Sequence, residues 1–316
     1  MNRRIIGVSE EHDCFAEEQN GFRKNRSCTD HVYTLTSIIR NRKQNKQPTF
    51  VAFVDLEKAF DRVDRNLLFF KLRSLGFGGK LYQAIKSIYH TCKARINING
   101  YLTTEFSSEF GVRQGDSLSP TLFGLFINDL AHEINTSGHG IKITNNFKIN
   151  MLMYADDLAI ISESEEDLQN MLDSLHEWCT KWCMRVNVNK TKIVQFRCKS
   201  QSATNKQFLY GNKHVEVVSK YKYLGLILDE YLDYNTTATA LAGSAGRALG
   251  SVCSKYKKLK GLGYQTFTNM YNSGVVPIMD YCSGVSGCQN FGKIDTVQNR
   301  ALRFYLGVHK FHPTLQ

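Results

Sequence analysis

The chain has 316 residues, 42% of them hydrophobic, and its 40 Lys and Arg against 29 Asp and Glu give a formal net charge of +11. That length allows one to three subdomains, and a positive surplus of this kind suits a polyanionic partner such as nucleic acid. No apolar run reaches the roughly 18 residues of a bilayer-spanning helix, and no apolar signal stretch follows Met1-Asn2-Arg3-Arg4. The expectation is therefore an intracellular protein, nuclear or cytoplasmic, neither secreted nor membrane-spanning.

Residues 29–45 carry Val32, Leu35, Ile38 and Ile39 at helical spacing behind a Ser27/Asp30 capping box. Residues 49–56 predict a buried strand. Residues 63–75 predict a helix with Leu67, Leu68, Leu72 and Leu75, ended by Gly76, and 81–89 a shorter one. Ser119-Pro120 reads as an N-cap followed by proline at the first helical position, with Leu122, Phe123, Phe126, Ile127 and Leu130 on one face. Residues 149–162 predict two apolar strands folded back at Ala155-Asp156-Asp157. Ser164 and Asp167 cap the next helix, whose stripe is Leu168, Met171, Leu172, Leu175, Trp178, Cys179 and Trp182. The same pattern puts Cys179 and Cys183 on one face with no metal between them. Residues 193–196 and 223–228 are short strand candidates.

This order predicts an α+β fold, an antiparallel sheet with helices on one face. From about residue 231 the texture changes: nine Lys and Arg stand against three Asp, which predicts a second, basic, mainly helical subdomain. Nine cysteines, with no CxxC pair, predict reduced thiols rather than a disulfide or zinc framework.

The chemistry lies in the carboxylates. Asp156 and Asp157 sit between the apolar stretches Met151-Leu152-Met153-Tyr154 and Leu158-Ala159-Ile160-Ile161. Buried like charges need a cation or a proton. Asp55 ends the apolar strand Phe50-Val51-Ala52-Phe53-Val54, on the face of Val51 and Phe53 by alternation. If the two elements are neighbours, three carboxylates converge. An all-oxygen set suits Mg²⁺, and two such ions roughly 3.5–4 Å apart can clamp an in-line phosphoryl displacement. A solvated Asp-Asp turn is the bland alternative.

At these residues the chain resembles the reverse transcriptases. Tyr154-Ala155-Asp156-Asp157 is similar to their YxDD motif, Phe53-Val54-Asp55-Leu56-Glu57-Lys58-Ala59-Phe60-Asp61 to FxDxxKAFD, and residues 111–120 (GVRQGDSLSP) to GxxQGxxLSP. The order and approximate spacing match as well. Further segments resemble non-long-terminal-repeat (LINE-type) retrotransposons: Gln19-Asn20-Gly21-Phe22-Arg23-Lys24-Asn25-Arg26-Ser27 in the fingers, Asn189-Lys190-Thr191-Lys192, and Tyr221-Lys222-Tyr223-Leu224-Gly225, which is similar to the primer-grip motif. Residues 297–307 resemble the stretch that follows the polymerase in invertebrate elements. The resemblance covers nearly the whole chain.

The resemblance implies a right-hand polymerase, with fingers and an antiparallel-sheet palm over residues 1–230 and a thumb-like region over 231–316. It implies RNA-directed DNA synthesis on an RNA template from a DNA primer with dNTPs. Asp55, Asp156 and Asp157 would be catalytic and hold two Mg²⁺ ions, with Mn²⁺ as a substitute. Phe60 would exclude the ribose 2′-hydroxyl, or is simply a core aromatic. Gln114 and Gly115 would lie against the incoming nucleotide, and Arg23, Lys24 and Arg26 would supply charge for phosphates. Lys190 or Lys192 would serve the leaving pyrophosphate. Tyr154, Tyr223, Leu224 and Gly225 would touch primer and template, and Lys255, Lys257, Lys258 and Lys260 would track a duplex backbone.

Only 18 residues precede Gln19 and the chain ends at Gln316, which predicts a piece of a longer element protein without endonuclease or ribonuclease H regions. The runner-up is a catalytically incompetent nucleic-acid-binding relic. An RNA-templated RNA polymerase and a metal phosphohydrolase fit the motifs less well.

Overall fold

A computed structural model describes residues 1–90, 92–144, 147–259, 263–286 and 290–308. Packing divides the chain into two units, Met1–His31 with Asn41–Ser219, and Val32–Arg40 with Lys220–Gln316. The predicted mixture of helix and sheet is present, and among the described residues no helix is long and apolar enough to cross a membrane.

The first unit is built on a six-stranded sheet. Its strands are β1 (Thr49–Asp55), β2 (Met151–Tyr154), β3 (Asp157–Ser162), β4 (Lys192–Phe196), β5 (Phe208–Tyr210) and β6 (Lys213–Val217), in the order β5-β6-β4-β1-β3-β2. All neighbours are antiparallel except β4 and β6, which run parallel. β5 and β6 were not anticipated: they are short, and β6 is mostly exposed, so it lacks an apolar run. β1 is central and buried at every position before Asp55. Its Phe50, Ala52 and Val54 pack with the helices, and Val51 and Phe53, on the opposite face by alternation, are buried too. The sheet is thus not open to water behind β1.

The helices of this unit include α1 (Asn2–Glu11), the ends of α2 (Cys28–Gln44), α3 (Ala59–Arg62), α4 (Arg65–Ser74), α5 (Gly79–His90), α6 (Ser119–Ile127), α7 (Asp129–Thr136) and α8 (Glu165–Lys181). Local chemistry explains their starts. Ser27 and Asp30 form the reciprocal capping box of α2, Asp64 accepts from the amides of Asn66 and Leu67, and Ser164 accepts from that of Asp167. A cap is worth about 1 kcal/mol. The side chains that α8 buries, Leu168, Met171, Leu172, Leu175 and Trp178, are each worth about 1.5–3 kcal/mol, so packing dominates.

Two local readings need correction. Ser119 is not the N-cap of α6: Leu118 holds that place, Ser119 opens the helix, and its hydroxyl donates to the Arg113 carbonyl at 2.5 Å. Cys183 does not share a helical face with Cys179. α8 ends at Lys181, Cys183 adopts a left-handed φ of 57°, and it is exposed while Cys179 is buried. None of the eight described cysteines forms a disulfide.

The second unit holds the middle of α2, a hairpin of β7 (Lys220–Tyr223) and β8 (Leu226–Asp229), and the helices α9 (Asn235–Lys258), α10 (Tyr264–Gly274), α11 (Val276–Met279), α12 (Ser283–Ser286) and α13 (Gly292–Leu306). The single strand expected over 223–228 is therefore a hairpin, turned at Leu224-Gly225. The unit begins at Lys220, ahead of the compositional change at 231, because the hairpin bonds to α9: the Ile227 amide donates to Thr237 Oγ1 at 3.2 Å, and that hydroxyl donates back at 2.6 Å. Arg40, on α2, donates to the Tyr234 hydroxyl at 3.0 Å and to the Val285 carbonyl.

One cation lies deep in the first unit. Lys71 Nζ donates to Asp129 Oδ1 and to the Phe126 carbonyl, both at 2.5 Å, and sits 3.6 Å from the centre of the Trp182 ring. Burial pushes its ammonium down to about 8, against the opposing pull of Asp129. Between pH 8 and the ordinary lysine value of 10.5, the folded chain has released a proton that the unfolded chain keeps, so this group makes stability rise with pH there. Denaturant unfolding across that window is expected to show a gain in wild type that Lys71→Met lacks; parallel curves would refute the assignment.

Candidate active site

The central strand and the hairpin bring the three predicted carboxylates to one end of the sheet. In the register of β1 with β3, Asp55 lies directly opposite Asp157, and in that of β2 with β3, Tyr154 does. Directly opposed residues of an antiparallel pair share a face, with Cβ atoms about 4.5–5.5 Å apart. Asp156 occupies the two-residue connection after Ala155. A cavity of about 510 Å³ at this end is lined by Asp55, Asp156, Phe60, Asp61, Gln114 and Lys190, among others. Asp157 is not in its lining.

The electrostatics follow from that convergence. Burial, and then the negative charge of Asp55, push the Asp156 carboxyl above the usual carboxylate range. Asp157, the more exposed of the two, is pushed the same way by partial desolvation, then by Asp156, then by Asp55. Repulsion of this kind is relieved by a proton or a cation. Among the described residues no three His, Cys, Asp or Glu side chains converge closely enough to enclose a metal ion by themselves. The donors are all oxygen, and Asp55 and Asp156 open to the cavity. They fit a hard cation that completes its shell with water and phosphate oxygens.

The loop after α8 supports Asp55. The Asp55 carbonyl accepts from the Asn187 amide at 2.8 Å, and the Asp55 amide donates to Thr191 Oγ1 at 3.2 Å. This loop carries Lys190, whose exposed Nζ stands 3.8 Å from Asp55 Oδ2. Lys192 is committed elsewhere, to Glu216 at 2.6 Å. The structure thus brings only one of the two candidate lysines to the cavity.

Phe60 lies between core and cavity. It stacks on Phe123 with ring centres 4.4 Å apart, and it also lines the cavity. Gln114 Nε2 donates to Asp61 Oδ1 at 2.7 Å, held there because the Val112 amide donates to the Phe60 carbonyl at 2.9 Å. Gly111 permits that approach, since a Cβ there would lie 2.9 Å from Asp61 Cα. Gly115 has a φ of +81°, a conformation glycine adopts without strain.

The basic residues after Gly21 separate. Arg23 is turned inward: it pairs with Glu10 at 3.1 Å, donates to the Ala16 carbonyl at 3.0 Å and lies over the Phe15 ring. Only 9% of its side chain is exposed, which leaves little of it for a phosphate. Arg26 pairs with Glu17 at 2.5 Å, and Lys24 is exposed.

Beside them lies a contact that sequence reasoning missed. Gln19 is fully buried, and its Oε1 accepts from the Ala155 amide at 2.9 Å and from the Gly21 amide at 2.7 Å. Ala155 has a φ of +56°, which costs a non-glycine residue roughly 1–2 kcal/mol. Tyr154, half-buried before it, meets the edge of the His31 ring at 6.3 Å between centroids.

In the second unit, Tyr223 is buried and the turn at Leu224-Gly225 is held by Tyr281, whose hydroxyl donates to the Leu224 carbonyl at 2.5 Å. A Cβ on Gly225 would lie 2.8 Å from the Tyr281 ring. Lys255, Lys257 and Lys258 are exposed in the last turn of α9, where cations also suit the helix dipole. Lys260 lies outside the described residues.

Comparison with known proteins shows the family. Residues 1–228 match the family described as reverse transcriptase (RNA-dependent DNA polymerase), and the chain belongs to that family. Its similarity within the family is to polymerases of LINE-type elements. The chain is 26% identical to the probable RNA-directed DNA polymerase from transposon BS of Drosophila melanogaster over 95% of its own length. It is 26% identical, over the same share, to the RNA-directed DNA polymerase from mobile element jockey of Drosophila funebris. It spans 33% of the length of each of these relatives. Its fold is similar to that of the Candida albicans telomerase solved with a fragment of telomeric RNA, with a TM-score of 0.55 and 11% identity over 98% of this chain and 56% of that one.

The raised Asp156 carboxyl carries a stability prediction. Its folded value lies above the ordinary 3.8, so ionisation opposes folding, and stability is lost as pH rises through that folded value. Without divalent cations, Asp156→Asn is expected to melt higher than wild type at pH 7, with the gap closing as pH falls below the carboxylate range. Equal melting at pH 7 would contradict the converged-charge geometry.

Proposed function

We propose that this chain is an RNA-directed DNA polymerase, extending a DNA primer 3′-hydroxyl with dNTPs on an RNA template. The observation that carries the reading is the direct pairing of Asp55 with Asp157 at the end of the sheet, with Asp55 and Asp156 open to one cavity. In this reading the sheet of the first unit is the palm, the segments around Gln19 to Arg26 belong to the fingers, and the basic helices of the second unit act as the thumb. The full activity and partners of longer relatives are carried over on this basis alone.

Asp55 and Asp156, with Asp157 beside them, would hold two Mg²⁺ ions. Bound there, such ions lower the pKa of the attacking hydroxyl and neutralise charge on the triphosphate. Lys190 adds a fixed positive charge within reach of Asp55, suited to the leaving pyrophosphate. Gln114, anchored on Asp61, shapes the cavity wall against the incoming nucleotide. Phe60, braced by Phe123, is rigid enough to reject a 2′-hydroxyl by contact rather than by hydrogen bonding. Exposed Lys255, Lys257 and Lys258 would meet a duplex backbone as point charges, which predicts salt-sensitive binding.

Primer extension on poly(rA)·oligo(dT) with Mg²⁺ tests the reading. Wild type is expected to extend the primer, and Asp156→Ala to lose extension by at least a thousandfold while binding the duplex equally. Duplex binding without extension in either protein would instead support a non-catalytic relic. In the same assay Phe60→Ala is expected to raise ribonucleotide incorporation at least tenfold relative to deoxynucleotide; unchanged sugar selectivity would leave Phe60 as a core aromatic only.

A further inference from the structure

We propose that Gln19 is a positioning residue for the Asp156-Asp157 turn, acting together with Gly21. The inference rests on reading that turn as part of the polymerase site, but its geometry stands independently. β2 is the edge strand of the sheet, and the segment before α2 covers it: Met153 N–H donates to the Glu18 carbonyl at 2.8 Å, and Asn20 N–H to the Met153 carbonyl at 2.9 Å. This parallel pairing delivers Gln19 to the turn.

The carboxamide then reads the backbone of Ala155 on both sides. Its Oε1 accepts from the Ala155 N–H at 2.9 Å, and its Nε2 donates to the Ala155 carbonyl at 3.4 Å. The same Oε1 takes the Gly21 N–H at 2.7 Å, which fixes the orientation of the amide. The group is fully buried, so no water competes for these bonds. Gly21 closes the contact from the other side, where a Cβ would lie 2.2 Å from the Ala155 nitrogen.

Ala155 is the residue that needs such support. Its left-handed backbone sets the direction in which Asp156 leaves the strand, and alanine does not hold that conformation unaided. An apolar side chain of the same length could fill the space of Gln19 but could not hold the peptide. A displacement of about 1 Å at a reacting centre can cost on the order of a hundredfold in rate. Gln19 therefore acts through Ala155 on the carboxylates, without touching them.

The test uses the whole chain carrying Gln19→Met, which keeps the length and removes the amide. Hydrogen exchange at the Ala155 amide is expected to rise at least tenfold. The primer-extension kcat is expected to fall ten- to a hundredfold, with a several-fold higher Mg²⁺ requirement and a dNTP KM within about threefold of wild type. Adding Ala155→Gly, which adopts the left-handed conformation without strain, is expected to restore at least fivefold of the lost rate. Unchanged exchange and rate in Gln19→Met would overturn the proposal, and so would a loss that Ala155→Gly does not relieve. If wild type extends no primer, the polymerase reading fails, while exchange still decides the clamp: faster exchange supports it and unchanged exchange overturns it. Should Gln19→Met not fold, Gly21→Ala presses on the same peptide while keeping every hydrogen-bonding group. It is expected to lower kcat and raise the Mg²⁺ requirement in the same way, and wild-type behaviour would overturn the proposal.

Discussion

The register between β1 and β3 is the constraint on which the rest depends. Asp55 faces Asp157 only because Phe50 faces Ser162 at the far end of the same ladder. Side chains alternate along a strand, so a slip of one residue would send one carboxylate to the helix side and leave its partner alone. What opposes that slip is the carboxylate itself: Asp55 would leave the end of the sheet for the face where Phe50, Ala52 and Val54 pack with the helices, and an unpaired charge is costly there.

A second set of contacts holds the loops that complete the site, and each is a polar bond between segments distant in sequence. Asn187 and Thr191 fix the backbone of Asp55, Asp61 fixes Gln114 and Gln19 fixes Ala155. The site accepts two unfavourable features, like charges held together and a left-handed alanine, and each has supporting bonds beside it. The cation box around Lys71 is the counterpart in the helical layer, where one ammonium joins α4 to α7 and to the aromatic rings at the end of α8.

Much of this was legible in the chain because its signals are local. The Ser27 box, the buried run before Asp55 and the fold-back at residues 154–157 each declare themselves within a few residues. The convergence of Asp55 with the Asp156 turn needed two elements to be neighbours, and motif order supplied what periodicity could not. The hairpin at 220–229 was read as one strand because its turn, Leu224-Gly225, lies within an apolar stretch and draws its stability from Tyr281. β5 and β6 lacked alternation strong enough to notice. Arg23 reads in the sequence as a charge for phosphates, and its partners, Glu10 and the Ala16 carbonyl, become visible only once α1 is in place. Gln19 stood inside a recognised segment, but its role depends on a peptide 136 positions away.

The discontinuous second unit has a consequence for the order in which the molecule can be built. Val32, Leu35 and Ile39 of α2 are fully buried, and their stretch of the helix belongs with residues from Lys220 onward. A ribosome therefore releases this apolar stripe long before Tyr234 and Val285, the partners of Arg40, have been synthesised. The sheet of the first unit can assemble meanwhile, but Arg40 meets both of its partners only after residue 285 has been made. The bonds of Arg40 are thus among the later ones that synthesis makes possible, whatever the speed at which the sheet forms.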